Sequence, residues 1–228
     1  LFPITLFFLA NLEHLSLTRL TIQNYTGPAT FFYLDNVETI IVDSINIQDS
    51  ISPEDSLNLI LDIAPGTYML SMQNINYRQS SSIILLQLHT YTLSLINIEE
   101  FTLDSVSTNS PLIRVTTQDC RPTQDFCPIQ LINVLINNSF INGLLEWTSS
   151  FSVDNNENSN FPFVVVLDNV TFLNNTNKYN PLVPAPVFQL TGAIVNATNL
   201  VFSNNHWNGT YVFNDGPVSY LPTSLELS

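Results

Sequence analysis

Basic residues are scarce in this sequence. It contains 5 Lys and Arg against 19 Asp and Glu, a formal net charge of −14 over 228 residues, and Lys178 is the only lysine. A chain with this charge balance repels phosphate backbones and anionic lipid headgroups. We therefore expect neither nucleic-acid binding nor adhesion to an anionic membrane. The acidity fits a secreted or cell-surface protein but does not identify its partner.

Charged residues of either sign are few, at 11% of the chain against 45% hydrophobic residues. This balance is more apolar than the surface of a small soluble monomer usually allows. Solubility must then come from the many Asn, Ser and Thr residues, from attached sugars, or from burial against neighbouring subunits. The apolar stretch 1–10 is too short to span a bilayer and has no basic leading region, so we expect no direct membrane insertion by this segment.

Helical periodicity is missing as well, and a repeated segment stands in its place. Residues 11–24 read NLEHLSLTRLTIQN, and residues 36–49, 25 positions later, read NVETIIVDSINIQD. The apolar residues alternate as they do in strands, except that one extra residue is skipped in the middle of each copy. We interpret the skip as a bend between two short strands that face one core.

Extending the motif along the chain predicts seven copies with four nearly unbroken apolar columns. The marker column is predicted to contain Leu20, Ile45, Ile75, Val106, Val134, Val170 and Leu200. The skipped column, where Ser and Asn suit a turn, is predicted to contain Arg19, Ser44, Asn74, Ser105, Asn133, Asn169 and Asn199. With this alignment, the fourth copy contributes Phe101, Leu103 and Thr108 to the other three apolar columns.

A second apolar strand precedes most copies of the motif. These runs are 31–34, 57–61, 83–88, 112–115, 144–147 and 187–190. Three short strands in roughly 25–30 residues, with no helical stretch between them, are typical of one coil of a parallel β-helix. The prediction is an all-β solenoid of about seven coils, forming a single domain over residues 1–228 that we expect to be a piece of a longer chain. A β-sandwich is the alternative fold, but its strands do not fall into such columns.

The sequence NVTFLNN at residues 169–175, echoed by NLVFSNN at 199–205, carries a family resemblance. The chain resembles the right-handed, pectin-lyase-like parallel β-helix superfamily. Within it, the chain looks most like the large β-helical surface proteins of unicellular eukaryotes and bacteria. The resemblance implies the right-handed fold and three strands per coil, and says little about activity, because function resides in sites added to a fold.

Six Asn-x-Ser/Thr sequons occur, and we predict N-glycosylation at several of them. Their asparagines are Asn24, Asn137, Asn169, Asn174, Asn196 and Asn208. None lies in a predicted inward column. They are therefore expected to face outward, as glycosylation requires. The competing interpretation is that Asn-rich turns match the pattern by chance.

Cys120 and Cys127 are the only cysteines, in the stretch CRPTQDFC. In a secretory setting they predict a local disulfide; a pair of free thiols is the alternative, and a metal site needs more ligands than the stretch offers. A loop at residues 151–162 carries Asp154 and Glu157, whose carboxylate oxygens are of the type that binds calcium. Because their spacing matches no EF-hand, a solvated loop is favoured, and no cofactor is expected.

The sequence shows no recognisable arrangement of catalytic residues. Polysaccharide hydrolysis needs two or three converging carboxylates, and the nearest approach is Asp43 and Asp104, placed in one column, with Asp168 one position further on. The four arginines are predicted to lie in different columns, which does not suit a uronate lyase. The three histidines have no nucleophile partner in a known motif. We expect no enzymatic activity.

Three functions remain. The leading hypothesis is a non-enzymatic, glycosylated β-helix of an extracellular or cell-surface assembly, such as a fibre, coat or appendage, in contact with other copies or other surface-protein chains. The second is a carbohydrate-binding or carbohydrate-cleaving module that uses one flat face bearing aromatic and carboxylate side chains and no glycans. The third is the stalk of an adhesin.

Overall fold

In the computed structural model the described residues are 4–27, 29–51, 58–64, 66–81, 83–90, 95–108, 110–117, 128–149, 163–177, 187–190, 193–207, 212–214 and 225–227. All regular secondary structure in these ranges is β-strand. The strands are β1 (Ile4–Gln23), β2 (Ala29–Gln48), β3 (Asn58–Ile63), β4 (Met69–Arg78), β5 (Ile83–Thr90), β6 (Leu95–Asp104), β7 (Ile113–Thr117), β8 (Pro128–Asn137), β9 (Leu145–Ser149), β10 (Phe163–Leu173), β11 (Phe188–Leu190), β12 (Ala193–Ser203), β13 (Val212–Asn214) and β14 (Leu225–Leu227). Within these ranges no helix is long and apolar enough to cross a membrane.

All fourteen strands belong to one parallel sheet. The first part of β2 pairs with β3 and its second part with β4, so two arms grow from it. The odd arm contains β3, β5, β7, β9, β11 and β13, and the even arm contains β4, β6, β8, β10, β12 and β14. The sheet is strongly curled, because Phe172 of the even arm and Phe188 of the odd arm meet in the core with ring centroids 5.9 Å apart. The all-β prediction is confirmed, and the curl is consistent with a β-helix-like solenoid.

The even-arm side of the core consists mainly of the columns that the repeat predicted, and buried apolar residues of the odd arm complete it. From β2 onwards their side chains are almost completely buried, for example Ile40, Val42, Ile45 and Ile47 at 0–1% exposure. Each column continues in register from strand to strand, as in the pairing of Leu15 with Ile40 and of Ile40 with Leu70. Alternation therefore places apolar residues inside through the whole arm, while the outward positions are mostly polar, with exceptions such as Leu135 at 38% exposure.

The skipped position is a left-handed turn in every copy. Its φ angles lie between 52° and 65° at Arg19, Ser44, Asn74, Glu100, Asn133, Asn169 and Asn199. A second left-handed column follows five residues later, with φ between 47° and 56°, at Asn24, Asp49, Gln79, Ser105, Asn138, Asn174 and Asn204. Asn and Asp tolerate this conformation better than other side chains do. The predicted bend is confirmed, and its cause is a single left-handed residue that turns the chain while keeping the side chains on both flanks inside.

Directly after the second left-handed column lies a column of polar side chains, Ser50, Ser80, Ser139, Asn175 and Asn205, with Val106 in the fourth copy; the first four are buried and Asn205 is half-buried. Each side chain accepts a hydrogen bond from the main-chain N–H of the preceding copy; the Ser50 N–H donates to Ser80 Oγ at 3.0 Å and the Ser139 N–H donates to Asn175 Oδ1 at 2.9 Å. Each also donates to a main-chain carbonyl, as Ser139 Oγ does to Asn137 at 2.7 Å. The column satisfies buried backbone groups where the strand ladder ends.

The predicted frame of the fourth copy is wrong by five residues. Ile75 pairs with Phe101 and not with Val106, and Phe101 in turn pairs with Val134. The error has a physical origin: two left-handed columns lie five residues apart, so two frames of the motif look alike. In this copy Glu100 occupies the first turn in place of Asn or Ser, and Val106 places an apolar side chain in the buried polar column.

The Glu100 turn gives a stability prediction. A non-glycine residue in the left-handed region costs about 1–2 kcal/mol, and Glu100, at φ 54° and exposed, lacks the short side chain that eases this cost in Asn. We expect Glu100→Gly to raise the free energy of unfolding by about 0.5–1 kcal/mol in urea titrations. The matched control is Thr102→Gly, in extended backbone on the same strand, which should lower it by a similar amount. Equal signs for the two variants would contradict the explanation.

Candidate interaction surface

A line of mostly polar side chains runs along the outside of the odd arm. We call it the outer row: Tyr33, Asp62, Gln87, Arg114, Glu146 and Gln189, each paired in register with the next. Each residue lies between apolar neighbours on its strand, as Asp62 does between buried Leu61 and Ile63. Alternation on a parallel strand forces such residues outward. Five steps of about 4.8 Å give the row a length of roughly 24 Å.

Contacts between neighbours hold the outer row in place. Arg114 Nε lies 3.1 Å from Glu146 Oε2, and both side chains are about one third exposed, at 32% and 30%. Gln87 Nε2 lies 2.8 Å from Nε2 of His89, which faces outward two residues along the same strand. At one end the ring of Phe8 stacks on Tyr33, with centroids 5.5 Å apart and planes at 10°. The row therefore has an aromatic end, a polar middle and one internal ion pair.

Within the outer row, Asp62 has a carboxyl group whose pKa departs from its ordinary value. Burial raises the pKa of its carboxyl group above the ordinary value, and the nearby charge of His89 acts in the opposite direction. Because the folded-state pKa is the higher one, the contribution of this group to stability is present at low pH and is lost as pH rises through the folded-state pKa.

The three aspartates considered for catalysis are arranged differently from the prediction. Asp43 and Asp168 share one outward column, together with Glu99, whereas Asp104 lies five positions further along its strand, level with Arg78. The carboxylates of the shared column alternate with Gln73 and Ile132, so successive carboxylates are about two strand spacings, ~10 Å, apart. The placement of Asp104 beside Asp43 was wrong, and its cause is the shifted frame of the fourth copy.

The carboxylate of Asp43 accepts hydrogen bonds from two neighbouring side chains. Asn74 Nδ2 and Ser44 Oγ each donate to Asp43 Oδ1 at 3.0 Å. These two bonds are the main reason that the pKa of Asp43 lies below its ordinary value. Asp104 likewise accepts a bond from Asn137 Nδ2 at 3.1 Å. The lowered pKa makes Asp43 unsuited to the role of a general acid, and its hydrogen bond to Asn74 helps to fix the turn of the next copy.

Basic residues do not converge in the described part of the chain. Arg19 occupies a left-handed turn, Arg78 ends β4, and Arg114 pairs with Glu146 on the odd arm. The expectation that arginines lie in different columns is confirmed for these three, and Arg121 lies outside the described residues. His14 and His206 are exposed. No group of three or more His, Cys, Asp or Glu side chains within the described ranges has the arrangement of a metal site.

Among the described sequon asparagines, Asn24 lies on the turn after β1 and the other four lie on the even arm or its turns. Asn24, Asn169, Asn174 and Asn196 are exposed, and Asn137 is half-buried. The prediction that none points into the core is confirmed for these five; Asn208 lies outside the described residues. Asn137 differs from the others, because its Nδ2 donates to Asp104 and its Oδ1 is buried. No described sequon lies on the odd arm.

Two further predictions fall outside the described residues. They are the Cys120–Cys127 disulfide and the calcium ligands Asp154 and Glu157. The strands that precede these two segments, β7 and β9, end side by side, since Thr117 pairs with Ser149.

Large apolar side chains are exposed at β1. Leu6, Phe7 and Phe8 are 45%, 54% and 63% exposed. Among the described strands β1 pairs only with β2, and Phe7 covers one face of Phe32 at a centroid distance of 5.0 Å. Within the described residues these side chains form an apolar surface.

The sequence contained a signal for the outer row that motif analysis missed. Each of these apolar runs carries one polar or aromatic-polar residue directly between two apolar neighbours: Tyr33 in FFYL, Asp62 in LILDI, Gln87 in ILLQL, Arg114 in LIRV, Glu146 in LLEW and Gln189 in VFQL. These residues are unremarkable one at a time. Only the pairing register shows that they form one line.

Comparison of the chain with protein-family models, with curated proteins and with solved structures gives no match.

Proposed function

We propose that this chain is a non-enzymatic structural and interaction segment of an extracellular or cell-surface assembly, built as a right-handed parallel β-helix. The proposed coil has three short strands: one on each arm and a third, single-pair strand after the second left-handed turn. About seven such coils, stacked ~4.8 Å apart, make a rod on the order of 35 Å long. This architecture is the one implied by the resemblance to the pectin-lyase-like superfamily and its cell-surface members.

The unbroken register carries this proposal. The third strand is supported by single bridges in the same register, which join Thr26, Ile51, Ser81, Ser107, Phe140, Thr176 and His206 in turn. Stacked ladders with a continuous core resist bending, because neighbouring coils are bonded to each other on both arms. Without any catalytic chemistry, such a scaffold can serve as a stiff spacer that presents its turns and outer faces to other molecules.

The location of the sequons supports the secretory and glycosylated part of the proposal. The exposed asparagines Asn24 and Asn174 occupy left-handed turns, and Asn196 faces outward from the even arm. Sugars there leave the hydrogen-bonded ladder intact and add solubility that the 11% of charged residues does not provide. Glycans at these three positions leave the odd arm free for contacts.

A glycopeptide and disulfide map of native material by mass spectrometry tests this part. We expect sugar at Asn24, Asn174 and Asn196, and a Cys120–Cys127 bond. Occupancy should be lower at Asn137, since a sugar on its Nδ2 competes with the hydrogen bond to Asp104. Bare asparagines at all six sequons together with free thiols would place the chain in a reducing compartment and overturn the proposal.

The apolar surface at β1 supports association with other copies or other surface-protein chains. Sedimentation velocity on the glycosylated chain should show species larger than the monomer at micromolar concentration. The double variant Phe7→Ser, Phe8→Ser should shift the distribution to monomer. Ile51→Ser is the matched control, because Ile51 is similarly exposed at 53% but lies on a turn. A native chain that remains monomeric, or a control that dissociates equally, would contradict self-assembly through β1.

A further inference from the structure

We propose that the N-glycan carried by Asn196 folds back onto the even arm and covers apolar side chains on the outside of β10 and β8. The side chains concerned are Val164, Val166 and Ile132, and we call them the apolar outer patch. This inference rests on the glycosylation proposed above and deepens it, because it gives one of the sugars a contact surface on the chain itself.

The outside of the even arm changes character between its two halves. Beyond the first outward position of each strand, the outward residues of β4 and β6 are all polar: Ser71, Gln73, Asn76, Arg78, Asn97, Glu99, Thr102 and Asp104. The same levels of β8, β10 and β12 include five apolar residues, none of them buried: Ile132, Leu135, Val166, Leu173 and Val201. Apolar area of this extent on an outer face is characteristic of a surface that makes a contact.

The sequons occur on the same half as the apolar outer residues. The segments of β4 and β6 contain no sequon, whereas Asn137, Asn169 and Asn196 lie on β8, β10 and β12, and Asn174 directly follows β10. This coincidence on three neighbouring strands points to the chain's own sugars as the cover of the apolar residues.

Asn196 is the sequon asparagine that stands beside the apolar outer patch. Asn169 and Asn174 occupy left-handed turns, whereas Asn196 lies within β12, is exposed, and pairs in register with the half-buried Val166. A sugar on Asn196 therefore begins one strand spacing, ~4.8 Å, from Val166. Ile132 on β8 lies about two spacings, ~10 Å, from β12, which the first two rings of a glycan can span.

The chemistry of the patch matches the first sugars of an N-glycan. Each N-acetylglucosamine ring has an apolar C–H face and an acetyl methyl group, with N–H and hydroxyl groups around its rim. The methyl groups of Val164, Val166 and Ile132 suit the apolar face. Gln130 and Asp168 are half-buried, pair in register with Val166 and Ile132 respectively, and supply oxygens that accept from the rim.

The covalent link makes a weak contact effective. A free sugar loses translational and rotational freedom when it binds, whereas a sugar already attached at Asn196 does not lose its translational freedom again. Each part of the patch that it covers stabilises the folded chain in proportion to the apolar area removed from water. The unfolded chain has no assembled patch, so this contribution belongs to the folded state.

Removal of single sequons tests the proposal on the full chain, glycosylated in a eukaryotic host and with occupancy measured by glycopeptide mass spectrometry. Thr198→Val deletes the sequon of Asn196 at nearly constant size, and Thr26→Val deletes that of Asn24 as the matched control; both threonines are exposed. Thr198→Val should lower the midpoint of thermal unfolding by about 2–4 °C and increase the fluorescence of a dye that binds apolar surface. Thr26→Val should do neither, and in a chain made without glycans the two variants should unfold alike.

A second pair of variants keeps the sugar and changes the surface. Val166→Thr replaces a methyl group of the patch with a hydroxyl group. Its control is Ile41→Thr, because Ile41 is 43% exposed on the same outward level of β2, where it pairs with Ser16 and Ser71. Enzymatic removal of the glycans should lower the midpoint of Ile41→Thr as much as that of the native chain, and that of Val166→Thr by less.

Nuclear Overhauser effects between the acetyl methyl group of the sugar and the methyl groups of Val166 and Ile132 observe the contact directly. They should be present in the native chain and absent from Thr198→Val. A bare Asn196 in native material would contradict the glycosylation on which the inference rests. An occupied Asn196 without these effects, or equal shifts of the midpoint for Thr198→Val and Thr26→Val, would overturn the covered patch alone.

Discussion

Replacing Phe172 with alanine is expected to lower the free energy of unfolding by about 3–5 kcal/mol. Phe172 is 1% exposed, and its ring stacks on Phe202 at 4.8 Å and 10° and meets the edge of Phe188 at 5.9 Å and 87°. It therefore joins two neighbouring strands of the even arm to the odd arm. Truncation leaves a cavity at the place where the curled sheet closes on itself, and the close packing of the core limits how far it can collapse.

Urea unfolding followed by circular dichroism measures this loss. Leu135→Ala is the matched control, because Leu135 is also an apolar residue of the even arm but faces outward with 38% exposure. Its loss should stay below about 1 kcal/mol. Similar losses for the two variants would mean that the two arms do not share a core at Phe172.

Asn175→Ala should produce the second large loss, of roughly 2–4 kcal/mol, because each buried polar group left without a partner costs about 1–3 kcal/mol. The Asn175 side chain is 1% exposed. Its Oδ1 accepts from the Ser139 N–H at 2.9 Å, and its Nδ2 donates to the Ile136 carbonyl at 2.8 Å and to Asn205 Oδ1 at 3.0 Å. Alanine removes the acceptor and the donor together, and the buried column admits no bulk water to replace them.

The chain itself suggests the rescue experiment. Serine occupies the same column at Ser50, Ser80 and Ser139, where its hydroxyl group accepts from one copy and donates to a carbonyl. Asn175→Ser should therefore retain part of the stability that Asn175→Ala loses. Thr176→Ser, a change at an exposed neighbour that keeps the sequon, should leave the unfolding midpoint unchanged. If Asn175→Ala were as stable as the native chain, the buried polar column would have no energetic role.

Local sequence pattern determined the strand composition, the inward columns of most copies and the bend between them. Alternation with one skipped residue is a strictly local signal, since it depends on which side of the chain each side chain faces. Asn and Ser at the skipped position pointed to a turn for the same reason: their left-handed conformation depends mainly on the residue itself. The all-β class and the outward placement of the sequon asparagines followed from these two signals.

The exact frame of an atypical copy could not be obtained in this way. In the fourth copy Glu100 and Val106 both depart from the pattern, and the two left-handed turns five residues apart make the neighbouring frame equally acceptable to local preferences. Pairing of Phe101 with Ile75 on one side and with Val134 on the other decides the frame, and burial alone does not, since Phe101 and Val106 are both buried. The supposed neighbourhood of Asp43 and Asp104 failed for the same reason.

The outer row depended entirely on tertiary structure. Its members are separated by 25 to 43 residues in the sequence, and insertions of different length between the copies hide their common register. Hydrogen bonds between parallel strands remove that variation, since each strand aligns with its neighbour whatever the length of the connection. The sequence by itself determined which residues face inward and where the chain bends. The curled sheet decided which outward residues from distant copies stand side by side, because lateral strand pairing is a long-range contact that no local pattern encodes.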